Sequence, residues 1–157
     1  MLADIMRYIL DSQKNLTNSL EAEINNIKKY VQIQSIRFKK FNNFICEYHG
    51  DFNKYQIEHL LLLTFVENAF KHGDLSEKGF ILDIKEENEM LTFQLSNFKK
   101  QGSKDSFSGI GIANVKKRLE ILYPKKHELN ITETETQYSV DLKIDLRNEK
   151  NKMHYRR

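Results

Sequence analysis

Residues 65–97 read FVENAFKHGDLSEKGFILDIKEENEMLTFQLSN, and the hydrophobic period changes partway through them. Up to Gly73 the pattern is helical: Ile57, Leu60, Leu61 and Phe65 recur at helix spacing, and glycine commonly follows a helix end. From Phe80 the pattern is that of strands. Phe80 to Lys85 and Met90 to Asn97 join across Glu87-Asn88-Glu89, a hairpin turn. In the second strand Leu91, Phe93 and Leu95 share one face, and a period of two sends Asn97 to that same inward face.

Outward from this switch the chain organises itself on both sides. Asn53, with Gln56 three residues on, is the expected cap of the helix that ends at Gly73. Before it, Asn42 to Tyr48 (NNFICEY) reads as a strand closed by Gly50 and Asp51. Farther upstream Asn18 and Glu21 have capping-box spacing, and Leu20, Ile24, Ile27, Val31 and Phe38 form a helical stripe from about residue 19 to about 38. Residues 2–12 form a shorter helical pattern. Downstream, 98–108 (FKKQGSKDSFS) is a polar loop. A helix then starts near Ile112, carries Ile112, Val115, Leu119 and Leu122, and stops at Tyr123-Pro124. Leu129 to Thr132 and Tyr138 to Leu146 are the last two strands. Two groups of helices around antiparallel hairpins make an α+β fold, one sheet with helices packed on one face.

Composition narrows the function. In 157 residues, 39% are hydrophobic and 30% charged, the profile of a soluble globular chain with room for one domain and a short appendage. A formal net charge of +3 is too small and scattered to argue for nucleic acid. The single cysteine, Cys46, excludes an internal disulfide and a cysteine zinc cluster. The expected compartment is the cytoplasm. Cys46 alternates with Phe44 in a strand and reads as an inert buried thiol, while Phe38, Phe41 and Phe44 read as core. His59 and His127 read as structural or exposed, and Lys117 and Arg118 as the solvated side of the last helix.

Two constellations carry chemistry. In VENAFKHG, Asn68 lies one turn before Lys71 and His72, so an amide, an ammonium and an imidazole share a helix face. Asn68 offers an oxygen to a hard cation and Lys71 a positive charge to phosphate. In SGIGIAN, residues 108–114, Gly109 and Gly111 leave backbone amides open beside the positive end of a helix. The dinucleotide fingerprint fails, because Asn114 stands where its third glycine belongs.

The order of these motifs resembles the N, G1 and G2 boxes of the GHKL ATP-binding fold shared by histidine kinases, gyrase, Hsp90 and MutL. VENAFKHG followed by GIGIANVKKRLEILYP resembles the sensor histidine kinases typified by LytS and YehU. LEAEINNIKKYVQIQSIRF resembles the helix that leads into their ATP-binding domain, and LADIMRYIL the end of their phosphoacceptor domain. The resemblance implies a Bergerat fold with a mixed, mostly antiparallel sheet. It implies that Asn68 orients Mg²⁺ on the phosphates of ATP, with Lys71 and His72 lining the phosphate and ribose side. Gly109 and Gly111 match the glycines that let the lid approach the phosphates, and Asn114 matches the G2 asparagine. Glu67 matches the acid of the ENA triplet with its role open, since it sits about 100° around the helix from Asn68.

Three departures stand out. Asn97 occupies the place where the family has the aspartate that accepts the adenine amino group, and Lys99 replaces the glycine two residues on. None of His49, His59, His72, His127 or His154 lies in the family's Pro-His-Phe-Leu-Phe-Asn phosphoacceptor motif. The resemblance therefore divides the chain into residues 1–16 (end of the phosphoacceptor helix), 17–146 (ATP-binding domain) and 147–157 (a disordered basic tail). The expected activity is transfer of the ATP γ-phosphoryl group to a histidine outside this segment and onward to a response regulator. A homodimer anchored upstream in the membrane is the implied assembly. The alternative is a GHKL-like interaction module that no longer binds nucleotide.

Overall fold

The computed structural model describes residues 17–37, 44–75, 79–100 and 110–147. Strand β1 (Thr17–Ser19) leads into helix α1 (Leu20–Arg37), followed by β2 (Phe44–His49), a 3-10 turn (Phe52–Lys54), β3 (Gln56–Glu58) and α2 (Leu63–His72). Then come β4 (Phe80–Glu87), β5 (Met90–Phe98), α3 (Ile110–Leu122), β6 (His127–Glu133) and β7 (Gln137–Asp145). The main sheet has the order β2-β4-β5-β7-β6, with β2 parallel to β4 and every other pair antiparallel. β1 and β3 form a separate antiparallel ribbon. The α+β class and the mostly antiparallel mixed sheet match the sequence reading. The expected helix over 2–12, Phe38, Phe41, His154, the loop from 101 to 108, Gly109 and the tail beyond Arg147 lie outside the described residues.

One face of the sheet is apolar and covered. Phe80, Leu82 and Ile84 of β4, Leu91, Phe93 and Leu95 of β5, and Tyr138, Val140, Leu142 and Ile144 of β7 are all buried. Their neighbours between, such as Ile81 and Lys85, face outward and are exposed. Helix α2 lies on this face through Phe65 and Phe70: Phe65 meets Phe93 with ring centroids 5.6 Å apart, and Phe70 meets Phe80 at 5.0 Å edge to face. Phe44 joins the same cluster at 5.2 Å from Phe80, as expected of a core aromatic. Each fully buried side chain of this size contributes about 1.5–3 kcal/mol. α1 adds Leu20, Ile24 and Ile27. Cys46 is half-buried, and burial pushes its thiol upward, which keeps it protonated and inert.

Turn chemistry sets the connections. Asn88 and Glu89 both adopt left-handed φ, 54° and 63°, which is the two-residue hairpin geometry that matches strand twist. Gly50 is at φ 114°, and a Cβ there would run into the carbonyl oxygen of Glu86 on β4. Gly50→Ala is therefore expected to cost about 2 kcal/mol or more, read as a lowered denaturation midpoint with unchanged slope.

Four sequence expectations shift. The cap of α1 is Ser19, whose hydroxyl accepts from Ala22 N at 3.1 Å, while Asn18 accepts from Ser19 N at 2.9 Å. Asn53 caps no helix; it sits in the 3-10 turn, where its own N–H donates to Asp51 at 3.1 Å. α2 starts only at Leu63, because Gln56–Glu58 pair with β1 instead of coiling. α3 starts at Ile110, so Gly111 lies within its first turn; Tyr123 and not Leu122 ends its buried stripe, Leu122 being 41% exposed.

Candidate nucleotide-binding site

Helix α2 begins without a side-chain cap of its own at Leu62, and Leu60 just before it stands at φ 56°. Its orphan amides are satisfied from a distant part of the chain. Glu23 of α1, completely buried, accepts from Leu62 N and Leu63 N at 3.2 Å and from Leu60 N at 3.1 Å. A carboxylate held by three N–H groups at a helix start meets both the unpaired donors and the helix dipole. Sequence reading passed over Glu23, since a glutamate in a first helical turn looks like ordinary surface.

Anchored in this way, α2 turns Leu63, Phe65, Val66, Ala69 and Phe70 to the core and leaves Thr64, Asn68 and Lys71 along another side at helical spacing. Asn68 is half-buried, and its Nδ2 is buried without a hydrogen-bond partner among the described residues. The first turn of α3 closes onto it. A Cβ built on Gly111 would stand 3.5 Å from Thr64 Cγ2 and 3.8 Å from Asn68 Nδ2. The structure thus brings Asn68 and Gly111 together although 43 positions separate them in sequence (111 minus 68). Asn114, one turn on in α3, is exposed, and so are Lys71 and Glu67. The Glu67 carboxyl is shifted upward by partial desolvation.

The C-terminal end of α2 is stitched to the end of β5. Asp74 N donates to Phe98 O at 2.7 Å, Lys100 N to the carbonyl of His72 at 3.4 Å, and Lys100 Nζ to that of Lys71 at 3.4 Å. Gly73 and Lys99 form a bridge. Asn97, 3% exposed, lies on the inward face as expected, paired with Phe80 and Tyr138. Its Nδ2 donates to Phe98 O at 2.9 Å, and its Oδ1 is buried without a partner among the described residues. Lys99 is fixed rather than hinge-like: its Nζ pairs with Glu133 at 2.6 Å and donates to Thr134 O at 3.2 Å. The lysine in place of a glycine ties β5 to the β6–β7 hairpin.

Arg118 also departs from the sequence reading. It pairs with Glu58 at 2.8 Å and donates to the carbonyl of His59, fastening α3 to β3; Tyr123 Oη accepts from Glu58 N at 2.9 Å. His59 is buried, as a structural histidine would be. Glu47, His49 and Asp83 gather on the opposite, open face of the sheet and share no element with Asn68.

The five-stranded mixed sheet with its three helices has the fold of solved histidine kinase domains. The chain overlays Acinetobacter baumannii histidine kinase AdeS with a TM-score of 0.55 at 14% identity, covering 92% of this chain and 76% of that one. It overlays the catalytic domain of histidine kinase ThkA with a TM-score of 0.55 at 13% identity, covering 83% and 95%. A family model described as "Histidine kinase" matches residues 1–41. Among individual proteins, the chain is similar to sensor protein kinase HptS of Staphylococcus aureus, 35% identical over 83 residues, 53% of this chain. The chain spans 15% of the length of that curated relative. No helix among the described residues is long and apolar enough to cross a membrane.

Proposed function

We propose that this chain is the ATP-binding catalytic portion of a two-component sensor histidine kinase of the LytS/YehU type. The observation that carries the reading is a pair of amide atoms buried without a partner among the described residues, Asn68 Nδ2 on α2 beside the first turn of α3 and Asn97 Oδ1 at the end of β5. Buried polar atoms are nearly always paired, so orphans here favour a site completed by a ligand. Asn68 would hold through Oδ1 the magnesium that accompanies the phosphates, with Nδ2 left to donate to a phosphate oxygen, and when bound that ion supplies neutralisation of their charge. Lys71 and His72 would line the phosphate and ribose side, and Gly109, Gly111 and Asn114 the phosphate lid. Asn97 would accept from the adenine amino group. Glu67, exposed and one position from Asn68, would position water or shape the helix end rather than serve as an obligatory base.

The chemistry is positioning and electrostatics. A neutral imidazole nitrogen of the acceptor forms the N–P bond in line as the bond from the γ-phosphorus to the bridging oxygen breaks and ADP leaves. In this reading the acceptor histidine lies outside residues 1–157, residues 1–16 end the helix that bears it, and 17–146 form the nucleotide domain. The phosphoryl group then passes to an aspartate of a response regulator, within a homodimer anchored upstream in the membrane. The interaction-module alternative rested on Asn97 and Lys99. Asn97 keeps an acceptor oxygen and Lys99 is paired with Glu133, which supports a site that takes nucleotide over the interaction module.

The test is phosphotransfer. Incubated with radiolabelled Mg·ATP, the chain alone is expected to take up no acid-labile, base-stable label, because His72 would be part of the pocket and could not reach the γ-phosphorus from the far side. Adding a phosphoacceptor helix with its own histidine is expected to restore transfer. Stoichiometric acid-labile labelling of residues 1–157 alone would overturn both the external acceptor and the place of His72.

A further inference from the structure

The face of the sheet turned away from the helices carries chemistry that the nucleotide reading does not use. A strand period of two sends Ile45, Glu47 and His49 of β2 outward, with Ile81, Asp83 and Lys85 of β4 beside them. β2 and β4 run parallel, Glu47 directly opposite Asp83 and His49 two residues farther along the same face. One donor atom from each of Glu47, His49 and Asp83 lies within 4.8 Å of the other two, and His49 Nε2 stands 3.5 Å from Glu47 Oε2.

Asp83 is the informative member of the three. Its Oδ1 is buried without a hydrogen-bond partner among the described residues. Gln94, opposite it on β5, gives its Nε2 to Asp141 at 3.1 Å, and Lys85, opposite His49, pairs with Glu87 at 2.6 Å. A cleft of about 490 Å³ opens over these strands, and the charged residues that line it, Glu47, Asp83 and Asp141, are all acidic. A desolvated carboxylate oxygen without a donor is costly unless a cation meets it.

We propose that Glu47, His49 and Asp83 bind a divalent transition-metal cation of the zinc class on this open face. Donors about 2.0–2.2 Å from a tetrahedral zinc lie about 3.3 Å from one another. The pair at 3.5 Å is already near that spacing, and the Glu47 and His49 side chains, 60% and 58% exposed, have room to close on Asp83. An imidazole with two carboxylates suits zinc, whereas magnesium prefers oxygen donors and keeps its waters. Three protein ligands leave a fourth position to water. The ion would fasten the edge strand β2 to β4. It shares no residue with the proposed nucleotide site, so the two readings stand or fall separately.

The experiment titrates Zn²⁺ alone into the full chain by calorimetry, without nucleotide, and follows the thermal midpoint in parallel. Saturable uptake of a single ion is expected, with a raised midpoint that a ~100-fold excess of Mg²⁺ does not erase. His49→Ala and Asp83→Asn are each expected to weaken zinc at least ~10-fold, since even the outer residues of metal sites are worth that much. His49 being exposed, the metal-free His49→Ala chain should melt as the parent does, and Asn68→Ala should bind zinc undiminished. Undiminished zinc binding by His49→Ala would place the ion on other groups and overturn the site. Absence of saturable uptake, or displacement of zinc by equimolar Mg²⁺, would overturn it too. A chain that takes zinc in this way but no Mg·ATP would overturn the nucleotide reading and leave the metal site standing.

Discussion

Glu23→Ala is expected to lower the unfolding free energy by about 3–5 kcal/mol. Glu23 is completely buried, and its oxygens accept the N–H groups of Leu60, Leu62 and Leu63. Alanine leaves three N–H donors without this acceptor, those of Leu62 and Leu63 buried and that of Leu60 partly so, at the start of a helix that has no side-chain cap of its own. Glu23→Gln keeps one accepting oxygen but turns an NH₂ toward donors, and is expected to cost about 2 kcal/mol. Since a domain of this size has about 5–15 kcal/mol in all, the alanine variant should melt far below the parent. A denaturant titration reads both changes. A loss below about 1 kcal/mol for Glu23→Ala would mean that α2 is capped in some other way.

Asn68→Ala is expected to have the largest effect on ligand binding. No carboxylate or second amide on that side of α2 replaces it, Thr64 and Lys71 being its neighbours at helical spacing. Magnesium-dependent affinity for ATP should fall ~100-fold or more, about 2.7 kcal/mol, with little change in the melting of the free protein because Asn68 Nδ2 has no partner among the described residues. Asn68→Asp, which keeps an oxygen for a hard cation, should retain metal dependence. Calorimetric titration with and without magnesium separates these outcomes. Undiminished metal-dependent affinity in Asn68→Ala would remove Asn68 from the site.

Where a feature followed from local pattern, the sequence was enough to read it. The hairpin of β4 and β5, the inward parity of Asn97 and the polar side of α2 all follow from hydrophobic period, because one buried face fixes the register of an entire strand. What escaped depends on contacts between residues far apart. Glu23 caps a helix about 40 positions later, and Arg118 grips the Glu58 region 60 positions earlier; neither pairing leaves a trace in spacing. Asn53 shows the opposite failure. Its cap signature competed with β3, and pairing of Gln56–Glu58 with β1 prevailed over local helix propensity. Lys99 stands where the resemblance expects a glycine, and only the fold brings its partner Glu133 beside it. For the site, the motifs named Asn68 and Gly111 separately, but only the packing of α3 on α2 puts them in contact.

The measurement that bears most directly on the central claim is the thermal midpoint of residues 1–157 with and without millimolar Mg·ATP. A ligand that binds only the folded state stabilises it by mass action, about 2.7 kcal/mol at a hundred times its dissociation constant. The account predicts a clear rise in midpoint with Mg·ATP that shrinks when magnesium is chelated. An unchanged midpoint in a properly folded sample would contradict it and leave a histidine-kinase-like fold that docks a partner without nucleotide.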